Sequence, residues 1–292
     1  MSKIHKILFP TDFSETAQNA FRYCIRLADQ YGAEIIVLHA VYPEYEMLDL
    51  PVLASKATQD KTDAARDALA SFIGLGLGQV QSDGGLQQSP NMTSVVEVGA
   101  PVGIIRKMQK KFGAGLIVMG TKGEHNALEK SLGSITTGVV EGVHCPVMVI
   151  PESAPWKAPH VVAYATDLSE SDPYHVWQAT EMLEPFHPLL HVVHIANGKS
   201  TAGHLTDLSE VEAFFRQTPH ITPALNITFH ELERSSVTGG LEEFTDYYQV
   251  DLLVMFAPHH TWLDRLIRPS ATRKMAMEAP VPLLLLKNQE PA

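Results

Sequence analysis

The sequence predicts an α/β protein made of two similar domains, each built on a mostly parallel β-sheet. A length of 292 residues is enough for two buried cores of roughly 145 residues each. A composition of 45% hydrophobic and 19% charged residues excludes a disordered chain. The two further observations are an internal repeat and, within each copy, an alternation of short apolar segments with amphipathic ones.

The repeat is visible without gaps over the start of each copy. Residues 4–43 align with residues 159–198 at a constant offset of 155, and residues 96–120 align with residues 232–256 at an offset of 136. The second copy is therefore 19 residues shorter in its middle. Identical residues at equivalent positions are Asp12 and Asp167, Ser14 and Ser169, Glu15 and Glu170, and His39 and His194.

A proline-containing segment, residues 151–157, separates the copies, so we expect domains over residues 1–152 and 158–292. The chain carries a net charge of -11, of which residues 1–152 contribute -3 from 13 basic and 16 acidic residues. The second copy contributes -8. Such an acidic chain is expected to bind neither nucleic acid nor an anionic membrane.

The first half of the first copy predicts a strand, a helix, a second strand and a second helix. Residues 6–9 form a short apolar run, and Ser14 is placed to cap a helix. The apolar stripe of that helix is Ala17, Ala20, Phe21, Cys24, Leu27 and Ala28. Residues 34–40 are rich in β-branched residues and predict a strand, whereas residues 54–72 predict a helix.

The second half continues the alternation. Residues 74–89, rich in glycine, glutamine and serine, predict a loop before a strand over residues 94–98. Pro101 suits the first position of a helix with a Val102, Ile105 and Met108 stripe. Residues 116–119 and 146–150 predict the last two strands. A helix from Ser134 to about Gly142 separates them.

A βαβαβαβαβ order requires right-handed crossovers and a sheet covered on both faces. Ligands of such sheets bind beyond the carboxyl ends of the strands, where the strand order reverses. Two segments are expected there: residues 10–12 after the first strand, and residues 120–123 after the fourth.

The second of these segments opens a glycine series, G-x2-G-x9-G-S, formed by Gly120, Gly123, Gly133 and Ser134. Glycine amides can approach phosphate oxygens, and Ser134 is expected to cap a helix whose first N–H groups attract anions. Lys122 and Lys130 add positive charge. The alternative is a plain loop that leads into a capped helix.

Three segments together resemble the universal stress protein family in its tandem form. They are Pro10-Thr11-Asp12-Phe13-Ser14, Val37-Leu38-His39-Ala40, and Val118-Met119-Gly120 with the glycine series that follows. The resemblance covers essentially the whole chain. It implies two five-stranded Rossmann-like domains of the adenine nucleotide alpha hydrolase type, adenine nucleotide binding where the glycine motif is intact, and a regulatory role in stress survival.

The resemblance also implies roles for individual residues of a site for ATP or another adenine nucleotide, with or without Mg²⁺. The adenine side would be met by Pro10, Thr11 and Asp12, with the backbone of Ala40. The ribose and phosphates would lie against Met119, Gly120, Lys122 and Gly123, and phosphate would bind Gly133, Ser134, Ile135 and Thr136.

The second copy departs from this motif. Gly120, Gly123 and Gly133 are replaced by Phe256, His259 and Pro269, and only Ser134 is retained, as Ser270. Proline lacks an N–H group and phenylalanine places a ring where close backbone approach is needed. We expect the second domain not to bind ATP in the same manner, while a lipid or another small molecule there stays open.

Fourteen histidines raise the question of a metal site, and the densest groups are His187, His191 and His194, and His259 with His260. Pro185 and Pro188 interrupt the first group, so we expect no metal site. His39 and His194 occupy equivalent strand positions, which suggests a shared packing or hydrogen-bonding role.

Sequence motifs for catalysis are missing: there is no GxxxxGK[ST], GxSxG or HExxH. We therefore expect a nucleotide-binding regulatory protein rather than an enzyme. Two alternatives stay open: a slow ATPase or nucleotide-dependent phosphotransferase that uses the same pocket, and an interaction scaffold without nucleotide.

Two cysteines, Cys24 and Cys145, are too few for a disulfide framework, and no apolar run reaches the ~18 residues that span a bilayer. We expect a cytoplasmic protein. The last strand of each copy would lie at a sheet edge, and the resemblance implies that these two strands pair across a pseudo-two-fold axis, as an intramolecular pseudo-dimer. Whether chains associate further as a homodimer stays open.

Overall fold

A computed structural model describes residues 4–43, 51–121, 133–169, 171–196, 208–217, 226–257 and 281–288. The chain divides into two compact units, Ser2–Pro155 and Trp156–Ala292. We refer to them as the first and the second domain.

The first domain is a parallel five-stranded sheet with helices between the strands. Its strands are β1 (Lys6–Pro10), β2 (Glu34–Val41), β3 (Met92–Val98), β4 (Leu116–Gly120) and β5 (Val147–Ile150). Its helices are α1 (Glu15–Tyr31), α2 (Pro51–Ser82), α3 (Pro101–Phe112) and α4 (Ser134–Gly142). The strand order is β3-β2-β1-β4-β5, so the order reverses between β1 and β4, as expected.

Helix α1 begins and ends where its sequence indicates. The Ser14 hydroxyl accepts a hydrogen bond from the Ala17 amide at 3.2 Å, which confirms the predicted cap. Gly32 ends the helix in a left-handed conformation, with φ of 62°. All six residues of the predicted apolar stripe are buried, so this face of α1 packs against the sheet.

Helix α2 shows that one prediction was wrong. Residues 74–82 were expected in a loop but continue the helix to Ser82, in spite of Gly74, Gly76 and Gly78. A Cβ atom at Gly76 would lie 2.5 Å from the ring of Phe21, so this glycine lets α2 approach α1 closely. Val80, one turn later, is fully buried. The gain from this packing offsets the low helix propensity of glycine.

The second domain repeats the architecture. Its strands are β6 (Val161–Thr166), β7 (Leu189–Ala196), β8 (Asn226–Glu233), β9 (Leu252–Phe256) and β10 (Leu283–Leu286). Its helices are α5 (Asp172–Leu183), α6 (Leu208–Gln217) and α7 (Val237–Tyr248), and a short 3-10 helix covers Glu184–Phe186. The strand order is β10-β9-β6-β7-β8, and all neighbouring strands within this domain are parallel.

The predicted fold class is thus confirmed, since each domain is an α/β unit with five parallel strands. Equivalent helices also end alike, since Gly113 after α3 and Gln249 after α7 both adopt the left-handed conformation. Over the residues that the structure describes, no helix is long and apolar enough to cross a membrane.

Candidate functional site

The site predicted from the sequence lies where β1 and β4 end side by side. The two strands are parallel neighbours, with Ile7 opposite Leu116 and Leu8 opposite Ile117. Their next residues therefore leave the sheet at the same edge. We use the name first-domain rim for Pro10–Asp12, Met119–Thr121 and Gly133–Thr136, which meet there.

The Asp12 carboxylate is held in place by its own loop. Its Oδ1 atom accepts hydrogen bonds from the Ser14 amide at 3.2 Å and from the Ser14 hydroxyl at 2.7 Å. The Thr11 hydroxyl accepts the Phe13 amide at 3.0 Å, and Phe13 adopts a left-handed conformation with φ of 68°. Ser14 thus both caps α1 and fixes Asp12, which presents a carboxylate of set orientation at the rim.

His39, on the adjacent strand β2, stabilises this loop through a hydrogen bond. Its Nδ1 atom lies 2.8 Å from the Thr11 carbonyl oxygen, which can only accept, so the proton is on Nδ1. The Phe13 ring stacks on the imidazole with the centroids 4.3 Å apart. Ala40 follows in the same strand, opposite Glu97 of β3, so its backbone lies near the rim but one strand away from Asp12.

Gly120 and helix α4 are tied together. The Thr136 hydroxyl donates to the Gly120 carbonyl at 3.1 Å, and the Gly133 amide donates to the Thr121 carbonyl at 2.8 Å. A Cβ atom at Gly120 would come within 2.9 Å of the Thr16 side chain in α1. A side chain at this position would therefore force Thr16 to shift, whether or not a ligand is bound.

The cap of α4 differs from the prediction. Ser134 was expected to cap the helix, but the N-cap residue is Gly133 and Ser134 is the first helical residue. The extended backbone of Gly133 (φ -59°, ψ 150°) places its carbonyl to accept the Thr137 amide at 3.0 Å. The amides of Ser134, Ile135 and Thr136 have no partner within the helix, which is the arrangement that binds anions.

The structure thus brings together nine of the twelve residues expected at the site: Pro10, Thr11, Asp12, Met119, Gly120, Gly133, Ser134, Ile135 and Thr136. Lys122 and Gly123 lie outside the described residues. Thr121 was not predicted, although its amide and carbonyl connect the rim to Ile150 and Gly133. Phe13 was missed as well, and its position between Asp12 and the predicted cap Ser14 was the available signal.

The second domain keeps the turn after its first strand. Leu168 adopts the left-handed conformation with φ of 62°, and its amide donates to the Thr166 hydroxyl at 2.8 Å. The His194 Nδ1 atom lies 3.2 Å from the Thr166 carbonyl oxygen. The hydrogen-bonding role expected for both His39 and His194 is therefore confirmed.

The helix after that turn is rebuilt. At the offset of 155, Ala17 and Ala20 of α1 correspond to Asp172 and His175 of α5, and both pairs are buried. The Asp172 carboxylate accepts the Tyr164 hydroxyl at 2.8 Å, the Ser169 amide at 3.0 Å and the Thr166 hydroxyl. Burial raises the pKa of Asp172, while these donors act in the opposite direction.

Phe256, which replaces Gly120, directs its ring at this helix. The ring stacks on the His175 imidazole with the centroids 3.6 Å apart. Burial lowers the pKa of His175, whose Nδ1 atom lies 3.3 Å from the Gln178 side-chain oxygen. The second ring nitrogen of His175, Nε2, and the side-chain amide nitrogen of Gln178 are both buried without a hydrogen-bond partner.

The predicted histidine groups do not form a metal site in the described part of the chain, where no three His, Cys, Asp or Glu side chains converge. His187 is exposed, and His191 and His194 lie on opposite faces of β7. His259 and His260 lie outside the described residues. His191 instead contacts His230 of β8, with 3.0 Å between His191 Nδ1 and His230 Nε2.

Comparisons with known proteins agree with this architecture. A universal stress protein of Methanocaldococcus jannaschii is 27% identical over 156 residues, which cover 50% of this chain and 93% of that protein. A universal stress protein of Synechocystis is 27% identical over 157 residues, which cover 50% of this chain and 96% of that protein.

The crystal structure of a universal stress protein from Archaeoglobus fulgidus matches with a TM-score of 0.66 and covers 99% of this chain and 98% of its own. At 17% identity, this match shows the fold alone. The model of the universal stress protein family matches residues 3–151 and again residues 160–287. The chain therefore belongs to the universal stress protein family, in its tandem two-domain form.

Proposed function

We propose that the first domain binds an adenine nucleotide, with ATP as the expected ligand, and that the bound nucleotide regulates the protein in a stress response. The observation that carries the proposal is the convergence of three elements at the first-domain rim. These are the fixed Asp12 carboxylate, the end of β4 at Gly120 and the start of α4 at Gly133.

The chemistry of these groups suits the two ends of a nucleotide. The carboxylate of Asp12 can accept hydrogen bonds from amino or hydroxyl groups of an adenosine. The amides at the start of α4 and the positive end of its dipole can hold phosphate oxygens. Ser134 and Ile135 are exposed, so a ligand reaches their amides from solvent. Lys122 and Gly123 belong to the glycine motif and are proposed to complete the phosphate site.

We propose further that the second domain does not bind nucleotide in this manner. Phe256 occupies the position of Gly120 and packs on His175, and Pro269 lacks the amide with which Gly133 bonds the Thr121 carbonyl. Its net charge of -8, against -3 for residues 1–152, also disfavours a polyphosphate ligand.

The experiment uses two portions of the purified intact chain. One portion is denatured and the released small molecules are identified by mass spectrometry, and the other is dialysed in its folded state and titrated with ATP. We expect an adenine nucleotide, or saturable ATP binding. If no nucleotide co-purifies and the titration gives no signal, the proposal is contradicted and the scaffold alternative is favoured.

The same preparation distinguishes binding from catalysis. ATP hydrolysis is followed with Mg²⁺ present, in the unmodified chain and in an Asp12→Ala variant. The regulatory proposal expects no sustained turnover, whereas turnover that disappears in the variant would favour a slow ATPase.

A further inference from the structure

The second domain has a groove of about 490 Å³ between strand β8 and helix α7, two strands away from β6, which ends at Thr166. We name it the β8–α7 groove. It is lined by Glu231 and Leu232 of β8 and by Glu243, Phe244, Tyr247 and Tyr248 of α7, with Phe229 and His230 beside them.

One wall of the groove is the backbone of an edge strand. Within the described second domain, β8 is the last strand and pairs only with β7, from Leu189 opposite Asn226 to Ala196 opposite Glu233. Every second amide and carbonyl of β8 therefore points away from β7. The strand is eight residues long and contains no proline or lysine, the residues that commonly protect a sheet edge.

The other wall is aromatic. The rings of Phe244 and Tyr248 lie 4.4 Å apart, and Tyr247 packs edge-on against Tyr248 at 4.9 Å. Tyr247 is 79% exposed, the largest exposure among the large hydrophobic side chains of the described residues. An exposed ring of this kind can receive aliphatic side chains or, through its face, a cation.

The residues around the groove carry a net negative charge, whereas the equivalent residues of the first domain carry a net positive charge. Residues 226–248 contain five acidic residues and one arginine, whereas the equivalent residues 90–112 contain one acidic and four basic residues. On the helix the charge reverses at three equivalent positions, where Arg106, Lys107 and Lys110 of α3 correspond to Glu242, Glu243 and Asp246 of α7. At a fourth position, Lys111 corresponds to Tyr247.

We infer that the β8–α7 groove binds an extended, basic segment of a partner protein, which adds to β8 as a further strand. Backbone hydrogen bonds to the free edge of β8 would supply affinity, as in other cases of strand addition. Side chains at alternate positions of an added strand point to opposite faces of the sheet. Lysine or arginine side chains on the face of β8 that contacts α7 would meet Glu243 and the ring of Tyr247. Apolar side chains on the opposite face would pack on Phe229. Arg234, which bonds Glu243 at 2.6 and 2.7 Å, is displaced or shared on binding.

The test measures the binding of fluorescently labelled peptides to the intact chain by fluorescence anisotropy. The peptides have the length of β8, eight residues. A peptide that alternates lysine and valine is expected to bind, and one that alternates glutamate and valine is not. Two further lysine–valine peptides carry N-methyl groups on alternate amides, so that one edge of the strand is blocked. The blocked edge differs between the two peptides. Strand addition requires that methylation of one edge abolishes binding and methylation of the other does not.

Two protein variants locate the site. Tyr247→Lys combined with Glu243→Lys copies the first domain into α7 and is expected to weaken the lysine–valine peptide ~10-fold or more. The matched control, Lys111→Ala at the equivalent position of α3, is expected to leave binding unchanged. Both changes lie at exposed positions, so folding is expected to be retained.

Several results would overturn the inference. Equal binding of the two N-methylated peptides would mean charge attraction without strand pairing. Unchanged binding in the α7 double variant would place the peptide elsewhere. Concentration-dependent self-association in sedimentation, lost in the same double variant, would show that a second copy of the chain occupies the groove instead.

Discussion

The two domains share one turn and differ in the helix that follows it. In the first domain, Ala17 and Ala20 of α1 are buried, and a Cβ atom at Gly120 would lie 2.9 Å from Thr16 of the same helix. In the second, Asp172 and His175 take those positions and Phe256 packs on His175. The comparison teaches that the change at the glycine motif is accompanied by a rebuilt interior. It is not confined to the surface of the proposed site.

The largest effect is expected from exchange of this interior between the domains. Ala17→Asp places a carboxyl group in the first domain where Phe9 stands in place of Tyr164, so one of the donors that Asp172 uses is missing. We expect the first domain to lose about 3 to 5 kcal/mol of stability. Chemical denaturation followed by far-ultraviolet circular dichroism measures it, and a loss below about 1 kcal/mol would show that the two interiors are interchangeable.

The reciprocal change, Asp172→Ala, leaves the Tyr164 and Thr166 hydroxyls and the Ser169 amide without their acceptor. We expect a loss of about 3 kcal/mol, since each unsatisfied buried donor costs about 1 to 3 kcal/mol and removal of a desolvated carboxyl group offsets part of this. Trp177 and Trp262 lie in the second copy, whereas Trp156 lies in the segment between the copies and is replaced by phenylalanine for this measurement. The remaining tryptophan fluorescence therefore reports unfolding of this domain alone, and an unchanged transition would contradict the proposed role of Asp172.

The second largest effect concerns the ligand. Gly133→Pro copies Pro269 into the first domain and removes the amide that bonds Thr121, while the φ of -59° at this position already suits proline. The lost bond to Thr121 is expected to displace the start of α4, whose free amides are proposed to hold phosphate, so we expect ATP affinity to fall by ~100-fold or more, with a loss of stability of only about 1 kcal/mol. Calorimetric titration of the folded variant measures its affinity for ATP. Unchanged affinity would remove the start of α4 from the proposed site.

A smaller effect is expected at Lys122, which lies outside the described residues. If its ammonium group contacts phosphate, Lys122→Ala weakens ATP binding ~10-fold and leaves adenosine binding almost unchanged. Competition titrations with ATP and with adenosine measure both affinities in the variant. An equal loss for ATP and adenosine would contradict a phosphate contact.

The smallest effect is a pH dependence that belongs to the second domain. Burial lowers the pKa of His191 and His230, and the neighbouring imidazole of His230 lowers that of His191 further. Around the pair, β8 contributes Thr228, α7 contributes Phe244 and Tyr248, and β6 places Ala163 opposite His191, so these contacts include no carboxylate.

Because both pKa values are lowered in the folded state, the unfolded chain binds more protons below its histidine pKa of about 6.5. Stability is therefore full above that pH and falls as the pH decreases through the folded values. Tryptophan-detected denaturation at pH 7.5 and pH 5 is expected to show this loss, and a His191→Leu/His230→Leu variant to reduce it. A second domain that is more stable at pH 5 would contradict the assignment.

Much of the fold followed from local sequence signals. The gap-free repeat predicted the element order, Ser14 predicted the start of α1, and Pro101 predicted the start of α3. The continuation of α2 through Gly76 was not predictable from local propensity, because it depends on the close approach of Phe21 from another helix. Interactions between residues distant in sequence decide such cases.

The candidate site also combines features that follow from local sequence with features that depend on interactions between distant residues. The sequence placed Asp12, Gly120 and Gly133 at one edge of the sheet, but assigned the cap of α4 to Ser134 because serine is the more common cap residue. Backbone geometry and the bond to Thr121 select Gly133 instead. The buried polar residues Asp172 and His175 were missed. Their alignment with Ala17 and Ala20 was the signal that could have revealed them.

The central claim, that nucleotide binds in the first domain only, is tested most directly by calorimetric titration of the intact chain with ATP, using two matched variants. Asp12→Ala and Asp167→Ala remove the same side chain from equivalent turns of the two domains. The account predicts one ATP for each chain, binding that is lost in Asp12→Ala, and unchanged binding in Asp167→Ala. Two ATP molecules for each chain, or a loss of binding in Asp167→Ala, would contradict it.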